Sequence, residues 1–132
     1  DDWVLTPHPG EAARLLGRAT AEVQRDRLGA ARELQSSYGG TVVLKGAGSL
    51  VQAPLGPPRL CDRGNPGMAT GGMGDVLTGV IAGIAGQCGD LTRAAGAGVC
   101  VHAQAGDLAA RRGERGLAAG DVIEQLRACV NP

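Results

Sequence analysis

Aromatic residues are almost missing from this chain: Trp3 and Tyr38 stand alone, with no phenylalanine among 132 residues. Single-stranded nucleic acid is held by aromatic platforms on which successive bases stack, so the composition argues against that mode of binding. Charge of one sign is not in excess either, since Lys+Arg and Asp+Glu both number 13. Without a net field to gather a polyanion or an anionic membrane, any basic group that matters must act locally. Paired cysteines are absent. Cys61, Cys88, Cys100 and Cys129 form no Cys-x-x-Cys, and three of them fall in apolar helical patterns. They read as reduced core residues rather than a zinc site or a disulfide frame. Neither a signal peptide nor a membrane span is expected, since the longest apolar helix, Val76 to Ala85, is too short and too rich in glycine to span a bilayer. The expectation is a cytoplasmic, globular protein with one modest core, no nucleic-acid or membrane partner and no metal-ligand set.

Glycine is what the chain has in quantity, 23 residues. The run Gly64-Asn65-Pro66-Gly67-Met68-Ala69-Thr70-Gly71-Gly72-Met73-Gly74-Asp75 packs five glycines and one carboxylate into a turn that opens onto the apolar segment from Val76 to Ala85. Glycine takes positive φ and lets another molecule approach the backbone, so Gly71, Gly72, Met73 and Gly74 can form an anion hole of converging amides. The N-terminus of the following helix adds its own donors and its positive dipole end. Asp75 is the odd member, because a carboxylate beside an anion site repels a phosphate. Its placement makes sense if it takes a proton from whatever attacks that phosphate, or if it merely caps the helix. The spacing is neither that of a Walker A loop nor that of a dinucleotide fingerprint.

Along the chain, Trp3 to Leu5 reads as a strand and Thr6-Pro7-His8-Pro9-Gly10-Glu11 as a stiffened turn feeding a helix that ends at Gly17. Thr20 is expected to cap one long helix, Ala21 to Tyr38, stopped by Gly39-Gly40. Thr41 to Lys45 is a β-branched run expected to be a fully buried, parallel strand. A hairpin of Ser49–Ala53 and Arg59–Asp62 precedes the glycine run, and helices are expected over Asp75–Gln87, Leu91–Arg111 and Ala119–Cys129. The order predicts a layered α/β domain. In open α/β sheets ligands bind at the carboxyl ends of strands, and the segments 6–11, 45–49 and 65–75 all follow strands, which suggests one shared cleft. The alanines and glycines around His102 suit close helix packing in the core or between subunits of a homo-oligomer, and His102 itself reads as a hydrogen-bonded helix residue.

Lys45-Gly46-Ala47-Gly48-Ser49 leaves the buried strand at its carboxyl end, where Lys45 can neutralise a phosphate and Ser49 or the loop amides can add hydrogen bonds. Taken alone, such a lysine is as readily a solvated surface group. His8, held between Pro7 and Pro9, could contact a ligand or face solvent, and Glu11 reads as a structural cap.

The three segments from Leu5 to Glu11, Val43 to Ser49 and Gly64 to Leu77 together resemble the ADP/ATP-dependent NAD(P)H-hydrate dehydratases of the ribokinase-like superfamily. The resemblance implies a ribokinase-like α/β/α fold with a mostly parallel central sheet. Residues 1–132 would be the C-terminal part of a single dehydratase domain lacking its N-terminal strands. It further implies a lyase that repairs hydrated NADH and NADPH, phosphorylating the hydrate hydroxyl at the expense of ADP or ATP with Mg²⁺ and then eliminating phosphate. His8 and Asp75 would contact the hydrate, with Asp75 the base. Lys45, Gly46, Ala47, Gly48, Ser49 and Gly74 would contact the nucleotide, and an epimerase domain could be fused upstream. Two other readings remain open: a small-molecule alcohol kinase of the same superfamily, and a non-catalytic nucleotide-binding or assembly module.

Overall fold

The computed structural model describes residues 2–131. The chain divides into two compact units, Asp1–Cys61 and Asp62–Pro132.

In the first unit, strand β1 (Val4–Leu5) is followed by helices α1 (Pro9–Leu16), α2 (Thr20–Arg25) and α3 (Arg27–Tyr38) and by strands β2 (Thr41–Leu44), β3 (Ser49–Gln52) and β4 (Arg59–Cys61). The sheet runs in the order β1-β2-β3-β4. β1 lies parallel to β2, with Val4 opposite Thr41. A parallel pair needs a crossover, and the three helices supply it. β2, β3 and β4 pair antiparallel, with Val43 opposite Val51 and Leu50 opposite Leu60. Within these residues the sheet is therefore mixed rather than mostly parallel, because the connections after β2 are too short to carry a crossover. All four residues of β2 are buried, as a run without polar alternation demands. Val42 and Leu44 pack with Ala30, Ala31 and Leu34 of α3 and with Ala12 and Ala13 of α1 to form the core.

The long second helix expected from the sequence is two helices. Asp26 breaks it with φ −136°, and its carboxylate accepts the Gly29 N–H at 2.8 Å, which makes Asp26 the N-cap of a new helix beginning at Arg27. Short polar side chains compete with the helix for backbone partners, and here the cap wins over continuation. Ala19, not Thr20, is the N-cap of α2.

In the second unit a 3-10 turn (Pro66–Met68) precedes α4 (Met73–Cys88), α5 (Leu91–Ala109), a short 3-10 segment (Ala110–Arg112) and α6 (Ala119–Val130). Gly89, left-handed at φ 65°, ends α4, and Asp90 caps α5 by accepting the Arg93 N–H at 2.9 Å. The two helices approach closely at Gly98, where an added Cβ would stand 2.6 Å from Cγ1 of Ile81. Met73, Ala105, Leu117 and Val122 form the buried centre of this unit. The cysteines correct the expectation of core thiols. All four are free, but Cys61 alone is buried, whereas Cys88 and Cys100 are exposed and Cys129 is half-buried. Apolar periodicity placed them on helices without saying which face they occupy. Among the described residues no helix is long and apolar enough to cross a membrane.

Candidate functional site

In the first unit three of the singled-out side chains meet. His8 is the N-cap of α1: its Nδ1 accepts the N–H of Gly10 at 3.0 Å and of Glu11 at 3.2 Å, while Glu11 Oε2 accepts the His8 N–H at 2.7 Å. This capping box satisfies donors that α1 would otherwise leave open. Because Nδ1 is an acceptor twice over, the ring proton belongs on Nε2, which lies 3.5 Å from Glu11 Oε1. His8 is thus both an exposed side chain and a built-in part of the turn. Glu11 is structural as expected, and it also reaches Lys45, whose Nζ lies 3.7 Å from Oε2. The Lys45 N–H donates to the Pro7 carbonyl at 2.9 Å, tying the two loops together at the strand ends.

The Glu11 carboxyl is held below its ordinary value, first by the hydrogen bond from the His8 backbone and then by Lys45 and His8, with burial opposing. A carboxylate whose folded-state pKa is depressed stabilises the fold above its unfolded pKa, and that contribution disappears as pH falls through the folded value. Glu11→Gln, which keeps a cap but has no charge to lose, is expected to flatten the fall in stability below about pH 4.5. Denaturant unfolding of both proteins between neutral and acid pH measures this, and parallel curves would contradict it.

The loop after β2 is braced from beneath by Arg27, the first residue of α3. Its Nη1 donates to the Ala47 carbonyl at 2.7 Å, and Nη2 lies 3.3 Å from the Leu44 carbonyl and 3.4 Å from that of Lys45. Burial lowers the Arg27 pKa, yet a guanidinium starts so high that it stays a cation. Ser49 Oγ donates to the Gly46 carbonyl at 3.4 Å. Gly46 (φ 148°) and Gly48 (φ 71°) hold backbone shapes that side chains rarely accept, while Gly46 and Ala47 are exposed.

In the second unit the N-cap of α4 is Gly72, left-handed at φ 85°, and no side chain caps the helix. Met73, Gly74 and Asp75 are its first three residues, and the first intrahelical bond is made by Val76 N–H to the Gly72 carbonyl at 3.0 Å. The amides of Met73, Gly74 and Asp75 therefore belong to the set that a helix leaves for caps, water or ligands. Asp75 is exposed in this first turn. The expected backbone shape of the glycine run is corrected: of Gly71, Gly72 and Gly74 only Gly72 takes positive φ. Gly74 is already helical, and Gly71 needs no special conformation.

Two residues that steady these segments, Asp107 and Arg27, are not reached by sequence reasoning, whereas His102 already reads as a hydrogen-bonded helix residue. Asp107 of α5 accepts the Gly64 N–H at 3.0 Å and the Asn65 Nδ2 donor at 3.0 Å, and Asn65 Oδ1 in turn accepts the Gly67 N–H at 3.1 Å. Asp107 is the lone acid of α5, an anomaly among alanines and glycines that could have drawn notice. Asp107→Asn puts an NH₂ where two donors converge and is expected to cost about 1 kcal/mol. Faster amide exchange at Gly64 and Gly67 would report the loosened turn. His102 is buried, and its Nε2 has no partner. Burial lowers its pKa while a hydrogen bond with the Met73 backbone opposes this, so the ring stays neutral at pH 7 beneath the first turn of α4. Arg27 is invisible in the sequence because its partners lie 17 to 20 residues away.

An α/β chain with a glycine-capped helix N-terminus and a lysine loop at a strand end is similar to solved proteins of the ribokinase-like class. The fold agrees: the ADP/ATP-dependent NAD(P)H-hydrate dehydratase of Bacillus subtilis, co-crystallised with ATP/Mg²⁺ and soaked with CoA, superposes with a TM-score of 0.91 at 32% identity, over 96% of this chain and 47% of that one. A ribokinase-like superfamily protein of Enterococcus faecalis V583 gives 0.80 at 30% identity, over 96% and 43%. Residues 1–128 match the family described as NAD(P)H-hydrate dehydratase, and the chain belongs to that family.

Among its relatives, the bifunctional NAD(P)H-hydrate repair enzyme Nnr of Coxiella burnetii is 54% identical over all of this chain and 27% of its own length. The ADP-dependent (S)-NAD(P)H-hydrate dehydratase of Neisseria meningitidis serogroup B is 45% identical over 94% of this chain and 43% of its own. The chain thus spans about a quarter of the Coxiella burnetii relative and less than half of the Neisseria meningitidis one.

Proposed function

We propose that the full-length protein dehydrates the hydrated forms of NADH and NADPH, using ADP or ATP as phosphoryl donor, and that residues 1–132 supply the nucleotide loop and the catalytic base. The observation that carries this reading is the glycine-capped first turn of α4, where backbone donors without a side-chain cap stand next to the exposed carboxylate of Asp75. An anion suits those donors, and a base suits the alcohol that attacks it. The names and titles of the relatives, which include ADP dependence and ATP/Mg²⁺, support the choice of partners.

Asp75 takes the proton from the hydroxyl on the hydrated nicotinamide ring as that oxygen bonds to the terminal phosphorus. The phosphorus–oxygen bond to the nucleotide breaks, and the nucleotide departs with the electron pair. In the second step the carbon–oxygen bond breaks, phosphate carries off that pair, and the neighbouring ring carbon loses a proton to water to restore the double bond. Lys45 and the amides of residues 46–49 neutralise and orient the nucleotide, and Gly72 to Gly74 offer donors to the transferring group. His8, its ring set by the capping box, presents Nε2–H to the hydrate. Mg²⁺, co-crystallised with ATP in the Bacillus subtilis structure, would supply charge neutralisation at the nucleotide phosphates beside Lys45. The relatives' designation as bifunctional supports a second activity in the full-length protein, outside these residues, which we read as an epimerase.

The test is to incubate the full-length protein with hydrated NADH and each nucleotide. Return of the reduced-nicotinamide absorbance with equal release of inorganic phosphate is expected. A stable phosphomonoester would instead make it an alcohol kinase, and nucleotide binding without turnover a binding module.

A further inference from the structure

We propose that Arg27 is a positioning residue that sorts the polarity of the 44–49 loop, gathering its carbonyls on the guanidinium side so that its amides face the phosphate chain of a nucleotide. This rests on the reading of that loop as the nucleotide loop.

A trans peptide carries its C=O and its N–H on opposite edges of one plane, and the described residues contain no cis bond. The carbonyls of Leu44, Lys45 and Ala47 all turn toward the Arg27 guanidinium. The amides sharing those peptide planes, of Lys45, Gly46 and Gly48, must therefore point the other way. The Lys45 amide is taken by the Pro7 carbonyl, which leaves those of Gly46 and Gly48 on the side away from the arginine. The Gly46 carbonyl is taken by Ser49 Oγ. An uncommitted loop would show an approaching anion as many carbonyl oxygens as amides, and the two would cancel. Here a single cation takes three of those carbonyls.

The fit at Gly46 shows that the guanidinium is built into the loop: a Cβ there would stand 2.9 Å from Arg27 Nη2. Asp26 sets the position of Arg27 by starting α3 at that residue, so the helix break and the loop brace are one device. A lysine cannot replace it, because an ammonium is a point donor whereas the planar fork spans three acceptors at once. Arg27 itself need not touch the nucleotide, since it acts through the backbone it holds.

The experiment measures ADP binding by calorimetry and steady-state kinetics on the full-length protein and its Arg27→Met and Arg27→Lys variants. For Arg27→Met the KM and Kd for ADP are expected to rise by about tenfold or more, the scale of losing charge-assisted hydrogen bonds, with a smaller rise for Arg27→Lys. The turnover number at saturating ADP and the KM for the hydrate should stay at the parent values. A role confined to folding would lower the active fraction, and so the apparent turnover number, while leaving KM unmoved. If Arg27→Met does not fold, Arg27→Lys decides. Unchanged ADP affinity in the folded variants, with ADP bound normally by the parent, overturns this proposal alone. Failure of the parent to bind ADP overturns the nucleotide-loop reading and this proposal with it.

Discussion

Asp75→Asn is expected to lower the turnover number of the full-length protein by about a hundredfold to ten-thousandfold, the range over which a positioned general base contributes. The substitution keeps the size and a hydrogen-bonding oxygen of the side chain, so the first turn of α4 and the Gly72 cap should survive. What it removes is the ability to accept a proton from the attacking hydroxyl. Nucleotide affinity should hold or improve slightly, because a negative charge next to the phosphate disappears. That split is diagnostic. A carboxylate that served only the helix dipole would change stability by well under about 1 kcal/mol at an exposed position and leave turnover nearly intact. Parent-like turnover in Asp75→Asn would therefore remove Asp75 from the mechanism and leave the turn as a binding element.

The parts of the fold legible in the sequence were those with local causes. Gly17 and Gly39 end helices as expected, α1 starts at Pro9, and the buried run from Thr41 to Leu44 is a central strand. What escaped depends on partners distant in sequence or on competition between near-equal local choices. Nothing in residues 20–38 alone says whether Asp26 tolerates the helix or caps a new one, and Arg27 gains its meaning only once α3 lies beneath the β2–β3 loop. The sheet's mixed pairing was implicit in the short β2–β3 and β3–β4 connections, yet the unbroken apolar run of β2 pointed to parallel neighbours, and it has one on one side. For the site, Lys45, His8 and the glycine-capped turn were visible as residue types in a pattern. Their supports were not: Asp107 under Gly64 and Asn65, the Met73 backbone beside His102, and the arginine under the loop carbonyls are long-range contacts.

Gly40→Ala should destabilise the first unit by roughly 2–4 kcal/mol, combining two independent costs. The first is conformational: Gly40 has φ 63°, a left-handed backbone that costs a residue with Cβ about 1–2 kcal/mol. The second is steric, since an added Cβ would stand 2.6 Å from both the Trp3 carbonyl oxygen and the Trp3 ring. The backbone atom has little room to give. That carbonyl accepts the Thr41 N–H at 3.0 Å, the bond that starts the β1–β2 pairing, so relief of the clash pulls β1 away from the sheet. Gly17→Ala separates the two costs, because Gly17 has the same φ of 63° with open space around it, and it should lose only the conformational cost of about 1–2 kcal/mol. The difference between their denaturation midpoints then measures the collision with Trp3, and equal losses would show that β1 moves aside freely. Because β1 carries the chain into Pro7, whose carbonyl holds the Lys45 amide, Gly40→Ala should also weaken nucleotide binding, whereas Gly17→Ala, at the far end of α1, should not.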